Sequence, residues 1–541
     1  MTDTVYAAFC ATVARHPKHP FLDLQAEAAA HYEDAARAYT YDETLAIVEV
    51  LRDRYHRAGY GQGHRAGLLL DNRPAFFFHW LALNALGVSV VPINSDWRSA
   101  ELEYLIAHSD ICVAIVQPKR VAVIRGAAKR AGKIVAVVEP QTEQIPTAPG
   151  DAPLADRAID TSSECALLYT SGSTGRPKGC VLANEYFLWA GEWYATIGGL
   201  CEVRRGAERL LTPLPMSHMN AMAYSTMVML RTGGCIIPLD RFHPNTWLTS
   251  VRDSRATIVH VLGVMPAMLL AAKESALDRA HEVRFGFGAG VNERHHLPFE
   301  ARFGFPLLEA WAMTETGAGA VVIANREPRK VGTACFGRAQ SSIEYRIVGD
   351  DGNDAGPNAP GELWVRRSGT RPRFGFFVEY LKDPAATAEA WESGYFHTGD
   401  TVLVDADRDF HFIDRKKNLI RRSGENISPV EVESVLVSHP QIASVGVTAI
   451  PDAVRGDEVM ACVVPKAPLA AADHAALARD IVQFALAQLS YFKAPGFVAF
   501  CTALPLTPTA KIRRGQLSEY ARELVARGEI IDTRLLKKRQ G

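Results

Sequence analysis

The densest chemistry in the chain lies in one short stretch, Tyr169-Thr170-Ser171-Gly172-Ser173-Thr174-Gly175-Arg176-Pro177-Lys178-Gly179. Its glycines at 172, 175 and 179 let the backbone adopt conformations closed to other residues and come close to a ligand. The hydroxyls of Thr170, Ser171, Ser173 and Thr174 donate hydrogen bonds, and Lys178 adds a compact positive charge. Close backbone, hydroxyl donors and a cation in one loop suit a polyphosphate. A plain Ser/Gly turn is the alternative, but a turn requires neither the lysine nor so many hydroxyls. The loop is not a Walker A loop, which needs Gly, four residues and then Gly-Lys-Ser/Thr; here Lys178 stands between Pro177 and Gly179.

The apolar runs Ala166-Leu167-Leu168 and Val181-Leu182 read as strands on either side of the loop. It therefore leads into a strand, and no helix dipole is expected to assist it. Before it, a helix over 5–14 and a capped helix start at Thr40-Tyr41-Asp42-Glu43 precede strands at 66–70, 88–91 and 111–116. Those strands alternate with helices at 76–86 and 100–109. Such alternation predicts a mostly parallel sheet with helices on both faces. Residues 141–161, rich in Pro, Ala and Asp, read as an exposed connector. After the loop come helices at 185–197 and 222–230, a strand running into a loop over 211–218, and strands at 235–238 and 257–262, with a helix from 266. A strand over 284–290 ends in Gly288-Ala289-Gly290, and one over 307–312 delivers Met313-Thr314-Glu315. From Phe336 short alternating runs predict a β-rich lobe with strands at 343–348, 362–365, 401–404 and 410–413. Helices at 429–438 and 473–489 and strands at 442–450, 458–464 and 496–500 then predict a separate small domain. The expected fold class is α/β. A large multi-lobed N-terminal domain, 1–416, combines two parallel-type α/β lobes with the β-rich lobe, and a small α+β domain spans 417–541.

At 541 residues the chain must split into several lobes. With 48% apolar and 22% charged residues it has the balance of a soluble globular enzyme. The 59 basic and 60 acidic side chains nearly cancel, which argues against a nucleic-acid surface. Nine scattered cysteines form no Cys-x-x-Cys pair, so reduced thiols in the cytoplasm are expected, not zinc or a disulfide framework. The N-terminus lacks a signal-peptide pattern. The most apolar windows, 75–91 and 259–272, are interrupted by His79 and Asn84 or by Gly263 and Pro266, which argues against an integral membrane span. No Gly-x-Gly-x-x-Gly follows the first strand, so a nicotinamide site is not expected. Seven of the ten methionines fall between Met216 and Met268, as ordinary core filling or as the wall of a malleable pocket.

Four further stretches accompany the loop: Ala310-Trp311-Ala312-Met313-Thr314-Glu315; Gly394-Tyr395-Phe396-His397-Thr398-Gly399-Asp400; Asp414-Arg415-Lys416-Lys417 with Gly424-Glu425-Asn426; and Leu504-Pro505-Leu506-Thr507-Pro508-Thr509-Ala510-Lys511. In order and spacing the five resemble the adenylate-forming superfamily, the acyl-CoA synthetases, adenylation domains and luciferases. The stretch after Lys417 looks most like the carnitine/crotonobetaine–CoA ligase and medium-chain fatty acid ligase branches. The resemblance runs from about 40 to 517 and implies an ATP-dependent ligase that joins a carboxylic acid to CoA through an acyl-adenylate.

It also implies the site. Thr170, Ser171, Gly172, Ser173, Thr174, Gly175 and Lys178 would hold the β- and γ-phosphates of ATP. Glu315, beside Thr314, would bind Mg²⁺. Trp311, with Ala310 and Gly288, Ala289 and Gly290, would form the adenine site. Asp400 would accept from the ribose hydroxyls, supported by Arg415. Lys511 would stabilise the charge that develops as the carboxylate attacks. The small domain would be mobile about hinge residue Lys417, bringing Gly424, Glu425 and Asn426 to the adenylate, and His218 would gate the thiol channel. Ala310, Ala312 and Ala510 stand where the family has glycines, which leaves local geometry open. The predicted partners are a small carboxylic acid, ATP and CoA, with a homodimer left open. A stand-alone adenylation enzyme loading a carrier protein is the alternative; a non-catalytic adenylate-binding protein fits less well, and a luciferase-like oxygenase least.

Overall fold

Buried, β-branched strands punctuated by helices build the first part of the chain, in a computed structural model that describes residues 3–170, 177–263, 265–291, 293–349, 351–415, 420–427, 429–505, 512 and 514–537. Strands Arg65–Leu69, Ser89–Pro92, Val113–Val116 and Ala136–Val138 pair in parallel, and Ser89–Pro92 pairs in parallel with Glu164–Thr170. They belong to a seven-stranded sheet that also contains Lys178–Ala183 and, antiparallel to it, Glu379–Tyr380. A second sheet, of eight strands, runs in the order Val322–Ile323, Leu307–Trp311, Phe285–Ala289, Ile258–Leu262, Arg209–Thr212, Cys235–Pro238, Pro20–Leu24 and Arg37–Thr40. Its inner pairs are parallel and its two edges antiparallel. Strands Cys335–Gly337, Phe410–Arg415, Phe396–Val404, Gly361–Arg367 and Ile343–Val348 form the expected β-rich lobe. A sheet around the long hairpin Ile442–Asp452 and Gly456–Pro465 organises the C-terminal part, against helices Pro429–Leu436 and His474–Gln488. The mixed α/β class read from the sequence matches this architecture.

By contacts the chain divides into two units. One comprises Met1–Ser95, Ile106–Tyr169 and Gly179–Asp414; the other comprises Asp96–Leu105, Thr170–Lys178 and Arg415–Gly541. Among the described residues no helix is long and apolar enough to cross a membrane.

Local chemistry explains the boundaries. Thr40 caps helix Tyr41–Arg57 by accepting from the Glu43 N–H, and the Glu43 carboxylate returns the bond to the Thr40 N–H at 2.9 Å, a full capping box. Helix Pro74–Asn84 is buried all round and starts with proline at its first position, where no N–H is needed. Its one histidine is accommodated by two partners: His79 Nδ1 lies 2.8 Å from Tyr55 Oη and Nε2 3.0 Å from Pro140 O.

Burial pulls the His79 pKa down to about 4. A folded-state value below the ordinary one means that the unfolded chain binds the extra proton first. The stability from neutral His79 is therefore complete above about pH 6.5 and lost as pH falls toward 4, by about 3 kcal/mol at most. Urea unfolding midpoints followed from pH 7 to 4 should fall less steeply in His79→Gln than in the wild type; parallel profiles would show that His79 does not titrate this way.

One helix differs from its predicted form. Instead of a uniform helix over 222–230, the chain makes a π-helical turn, Asn220–Ser225, and then helix Thr226–Thr232. Thr226 Oγ1 donates to Ala221 O at 2.8 Å and Ser225 Oγ to Asn220 O at 3.3 Å, both bonds spanning five residues. The wider turn lets Asn220 and Ser225 both reach His260. Period alone does not reveal such a demand.

Candidate active site

Trp311 and Asp400 lie on different lobes, yet the fold joins them. Trp311 ends the parallel strand Leu307–Trp311, and its indole Nε1 donates to Asp400 Oδ2 at 2.9 Å. Asp400 stands within the antiparallel strand Phe396–Val404, only 1% exposed. Its backbone N–H donates to Thr398 Oγ1 at 3.1 Å, and that hydroxyl donates to Leu363 O at 2.6 Å. A carboxylate inside a buried strand needs such partners. Phe336 packs beside the indole with ring centroids 6.1 Å apart.

The turn after Trp311 is equally constrained. Tyr186 Oη donates to Thr314 O at 2.9 Å, and the Gly317 N–H donates to Met313 O at 2.9 Å. Gly317 has φ +46°, and a Cβ there would lie 2.3 Å from the Tyr186 ring, so only glycine fits. Glu315 is buried; Tyr380 Oη donates to its Oε1 at 3.0 Å, and the Phe377 N–H donates to its carbonyl at 2.9 Å. Burial, and then the Glu315 carboxylate itself, push the Tyr380 pKa far up, which keeps that phenol a donor. Among the described residues no second hydrogen bond reaches the Glu315 carboxylate, whose Oε2 could serve as a metal ligand. One carboxylate suits Mg²⁺, which takes its remaining ligands from phosphate oxygens and water.

At the neighbouring strand end, Gly290 has φ +67°. Its N–H donates to Glu309 Oε1 at 2.7 Å, and the Val291 N–H donates to the same atom at 3.2 Å. Glu309 thereby fixes the Gly288-Ala289-Gly290 turn beside Trp311. Ala310 is buried and opposite Ile323 on the edge strand. His218 precedes the π-helical turn, its Nδ1 accepting from the Asn220 N–H at 3.2 Å. Surrounding protein lowers the His218 pKa, but the ring is open to solvent, which weakens that pull.

The 170–178 loop is described at its stems. Thr170 closes strand Glu164–Thr170, and Lys178 opens strand Lys178–Ala183. Tyr169 Oη lies 2.8 Å from His108 Nδ1, within the first unit; Tyr104 Oη donates to Pro177 O at 3.0 Å, within the second. Ser171, Gly172, Ser173, Thr174, Gly175, Lys417 and Lys511 lie outside the described residues, and for Arg415 and Asn426 only the backbone is described.

In the second unit Gly424 (φ +85°) sits at the tip of a hairpin that pairs Ile420–Arg422 with Glu425–Ile427. Arg422 Nε donates to Glu458 Oε1 at 2.8 Å and Lys537 Nζ donates to it at 2.5 Å, all three side chains buried. Two basic side chains thus share one carboxylate beside the tip of the hairpin. Burial, then the nearby Arg422 charge, pull the Lys537 pKa down to about 7.

Three of these residues escaped the sequence reading. Tyr186 and Tyr380 act through hydroxyls that no local pattern marks. Glu309 did carry a signal, a carboxylate between Leu308 and Ala310 in an otherwise apolar strand.

The AMP-binding enzyme family model matches residues 9–372, and the model of the AMP-binding enzyme C-terminal domain matches 431–511. Curated relatives include a crotonobetaine/carnitine–CoA ligase of Salmonella paratyphi B, 28% identical over 501 residues, covering 90% of this chain and 94% of that protein. Another, from Escherichia coli O8, is 28% identical over 497 residues, covering 88% and 93%. Among solved structures, o-succinylbenzoate CoA synthetase of Bacillus subtilis superposes with a TM-score of 0.79 at 22% identity, over 95% of this chain and 98% of that one. A malonyl-CoA ligase bound to methylmalonyl-CoA and AMP gives 0.72 at 25% identity, over 90% and 97%.

Proposed function

From the premise that the chain belongs to the AMP-binding enzyme family, we propose that it is an AMP-forming acid–CoA ligase. The observation that carries this reading is the Trp311–Asp400 hydrogen bond, which unites an aromatic face for a base with a buried carboxylate for a ribose. In the first step a carboxylate oxygen attacks the α-phosphorus of ATP, the bond to the β-phosphate breaks, and pyrophosphate leaves. In the second, the CoA thiolate attacks the acyl carbon and AMP leaves with the bonding electrons.

The chain's own groups serve these steps by position and charge. Trp311, Ala310 and the Gly288–Gly290 turn hold the adenine, and Asp400 with Arg415 holds the ribose. Thr170, Lys178 and the loop between them hold the departing pyrophosphate. Glu315 would hold Mg²⁺ through the carboxylate that Tyr380 orients, with Thr314 beside it, and the ion would supply positive charge against the repulsion between the phosphates and the incoming carboxylate. Lys511 neutralises charge during adenylation. Rotation about Lys417 then replaces it with the Gly424–Asn426 hairpin, while His218 lines the thiol's approach.

Relatives named for crotonobetaine and carnitine make acids of that kind the first to test. The experiment is AMP release across a panel of acids, with and without CoA. CoA-dependent AMP formation from any acid supports the ligase. Pyrophosphate release whose product is stable to CoA but passes to a phosphopantetheinylated carrier protein would instead make the chain a carrier-loading enzyme. No AMP from any acid would overturn the reading.

A further inference from the structure

We infer that Glu101, Ser490 and Lys493 are positioning residues for the two-step reaction: together they hold the small domain in one of its two working arrangements, and they must part before the other forms. This rests on the exchange about Lys417 proposed above. Residues 96–105 group with 170–178 and 415–541, although the chain on both sides of 96–105 belongs to the first unit. Helix Ser99–Ser109 runs from one grouping into the other. Its first turn is therefore fastened to the small domain, while its last turn is continuous with the large one.

The fastening is buried and charged. Lys493 Nζ donates to Glu101 Oε1 at 2.6 Å and to Glu431 Oε1 at 2.8 Å. Glu101 Oε2 accepts from both the N–H and the hydroxyl of Ser490, each at 3.0 Å. It also accepts from the Arg98 N–H at 2.9 Å, which fixes the carboxylate at the start of its own helix. The Glu101 and Lys493 side chains are only 4% and 5% exposed, and Ser490 is fully buried. The ammonium also lies 5.9 Å from the centre of the Trp97 ring.

Lys493 and Glu431 both belong to the small domain and stay paired wherever it goes. Glu101 does not. Its charge is held out of water only because Lys493 and Ser490 replace the water. Rotation about Lys417 moves 417–541 but not a helix that runs on into the first unit, so it must pull Lys493 and Ser490 away from Glu101. An exposed pair would bias such an exchange little; a buried carboxylate with this many donors favours the bonded arrangement strongly. Tyr104, three residues after Glu101 and so on the same helix face, donates to Pro177 O at 3.0 Å. The fastening of the moving domain thus lies one turn from the loop proposed to hold pyrophosphate.

The test measures the half-reactions of the full chain separately, with an acid that the panel above shows to be a substrate. Pyrophosphate exchange reports the first step, and AMP release from the synthetic acyl-adenylate plus CoA reports the second. Glu101→Ala leaves the Lys493–Glu431 pair intact. It should lower one half-reaction roughly 10-fold or more and leave the other unchanged or faster, because population withdrawn from one arrangement passes to the other. Ser490→Ala, on the opposite side of the contact, should change the same half-reaction in the same direction by a smaller factor. If Glu101→Ala does not fold, Ser490→Ala decides alone. Equal loss in both steps, no change in either, or an effect of Glu101→Ala that Ser490→Ala does not share would overturn the inference, since a contact that merely braces the fold has no reason to favour one step. Absence of AMP from every acid with the wild type would instead strike at the ligase reading itself.

Discussion

Lys511→Ala should lose roughly 100- to 1,000-fold of the adenylation rate, the usual effect of removing one preorganised donor from a developing charge. The same variant should convert a supplied acyl-adenylate and CoA to thioester within a few-fold of the wild type. The asymmetry follows from where charge accumulates. In the first step an anionic carboxylate approaches a triphosphate, and negative charge passes from the attacking oxygen to the oxygen that bridges the α- and β-phosphates. A compact ammonium on a long stem can follow both. In the second step a thiolate attacks an activated carbonyl, and charge develops on the carbonyl oxygen and then on the departing AMP, with no triphosphate present and with the Gly424–Asn426 hairpin proposed in place of Lys511. Pyrophosphate exchange reports the first step, and AMP release from synthetic acyl-adenylate plus CoA reports the second. Equal loss in both would mean that Lys511 serves both half-reactions, and the proposed exchange of residues about Lys417 would fail. Lys511→Arg separates charge from shape: the planar fork keeps the charge but not the compact head, so only partial recovery is expected.

The fold was legible wherever burial and period agree. Strand Ile343–Val348 and the helix starting at Tyr41 come directly from alternation and from the Thr40/Glu43 box. Strand Phe396–Val404 was read only from 401 onward, because Gly399 and Asp400 are poor strand residues; pairing with Gly361–Arg367 overrides that preference. At the site, the motif residues Trp311, Glu315 and Asp400 could be named, but not the bond between the first and the last, which spans 89 positions. Nor could Tyr380 be matched to Glu315, since a two-residue strand has no period to read. Sequence shows which side chains are available for chemistry. Which ones meet is decided by sheet order and register.

Glu315→Gln tests the metal-holding role most directly. Glutamine keeps the shape and an oxygen able to accept from Tyr380, but removes the charge that holds a divalent cation. The expected result is a loss of roughly 100-fold or more in adenylation at ordinary Mg²⁺, with a partial return as Mg²⁺ is raised. Tyr380→Phe makes the complementary change. The carboxylate keeps its charge but loses the hydroxyl that donates at 3.0 Å. A hydrogen bond to a charged group contributes about 1.5–3 kcal/mol, or roughly 10- to 100-fold if it is expressed in the rate. Because the charge remains, the Mg²⁺ concentration for half-maximal rate should move far less in Tyr380→Phe than in Glu315→Gln. Adenylation measured against Mg²⁺ in both variants distinguishes orientation from charge. If Glu315→Gln shows the wild-type Mg²⁺ dependence at any reduced rate, Glu315 does not hold the metal, and its buried bond to Tyr380 serves only to brace the turn after Trp311.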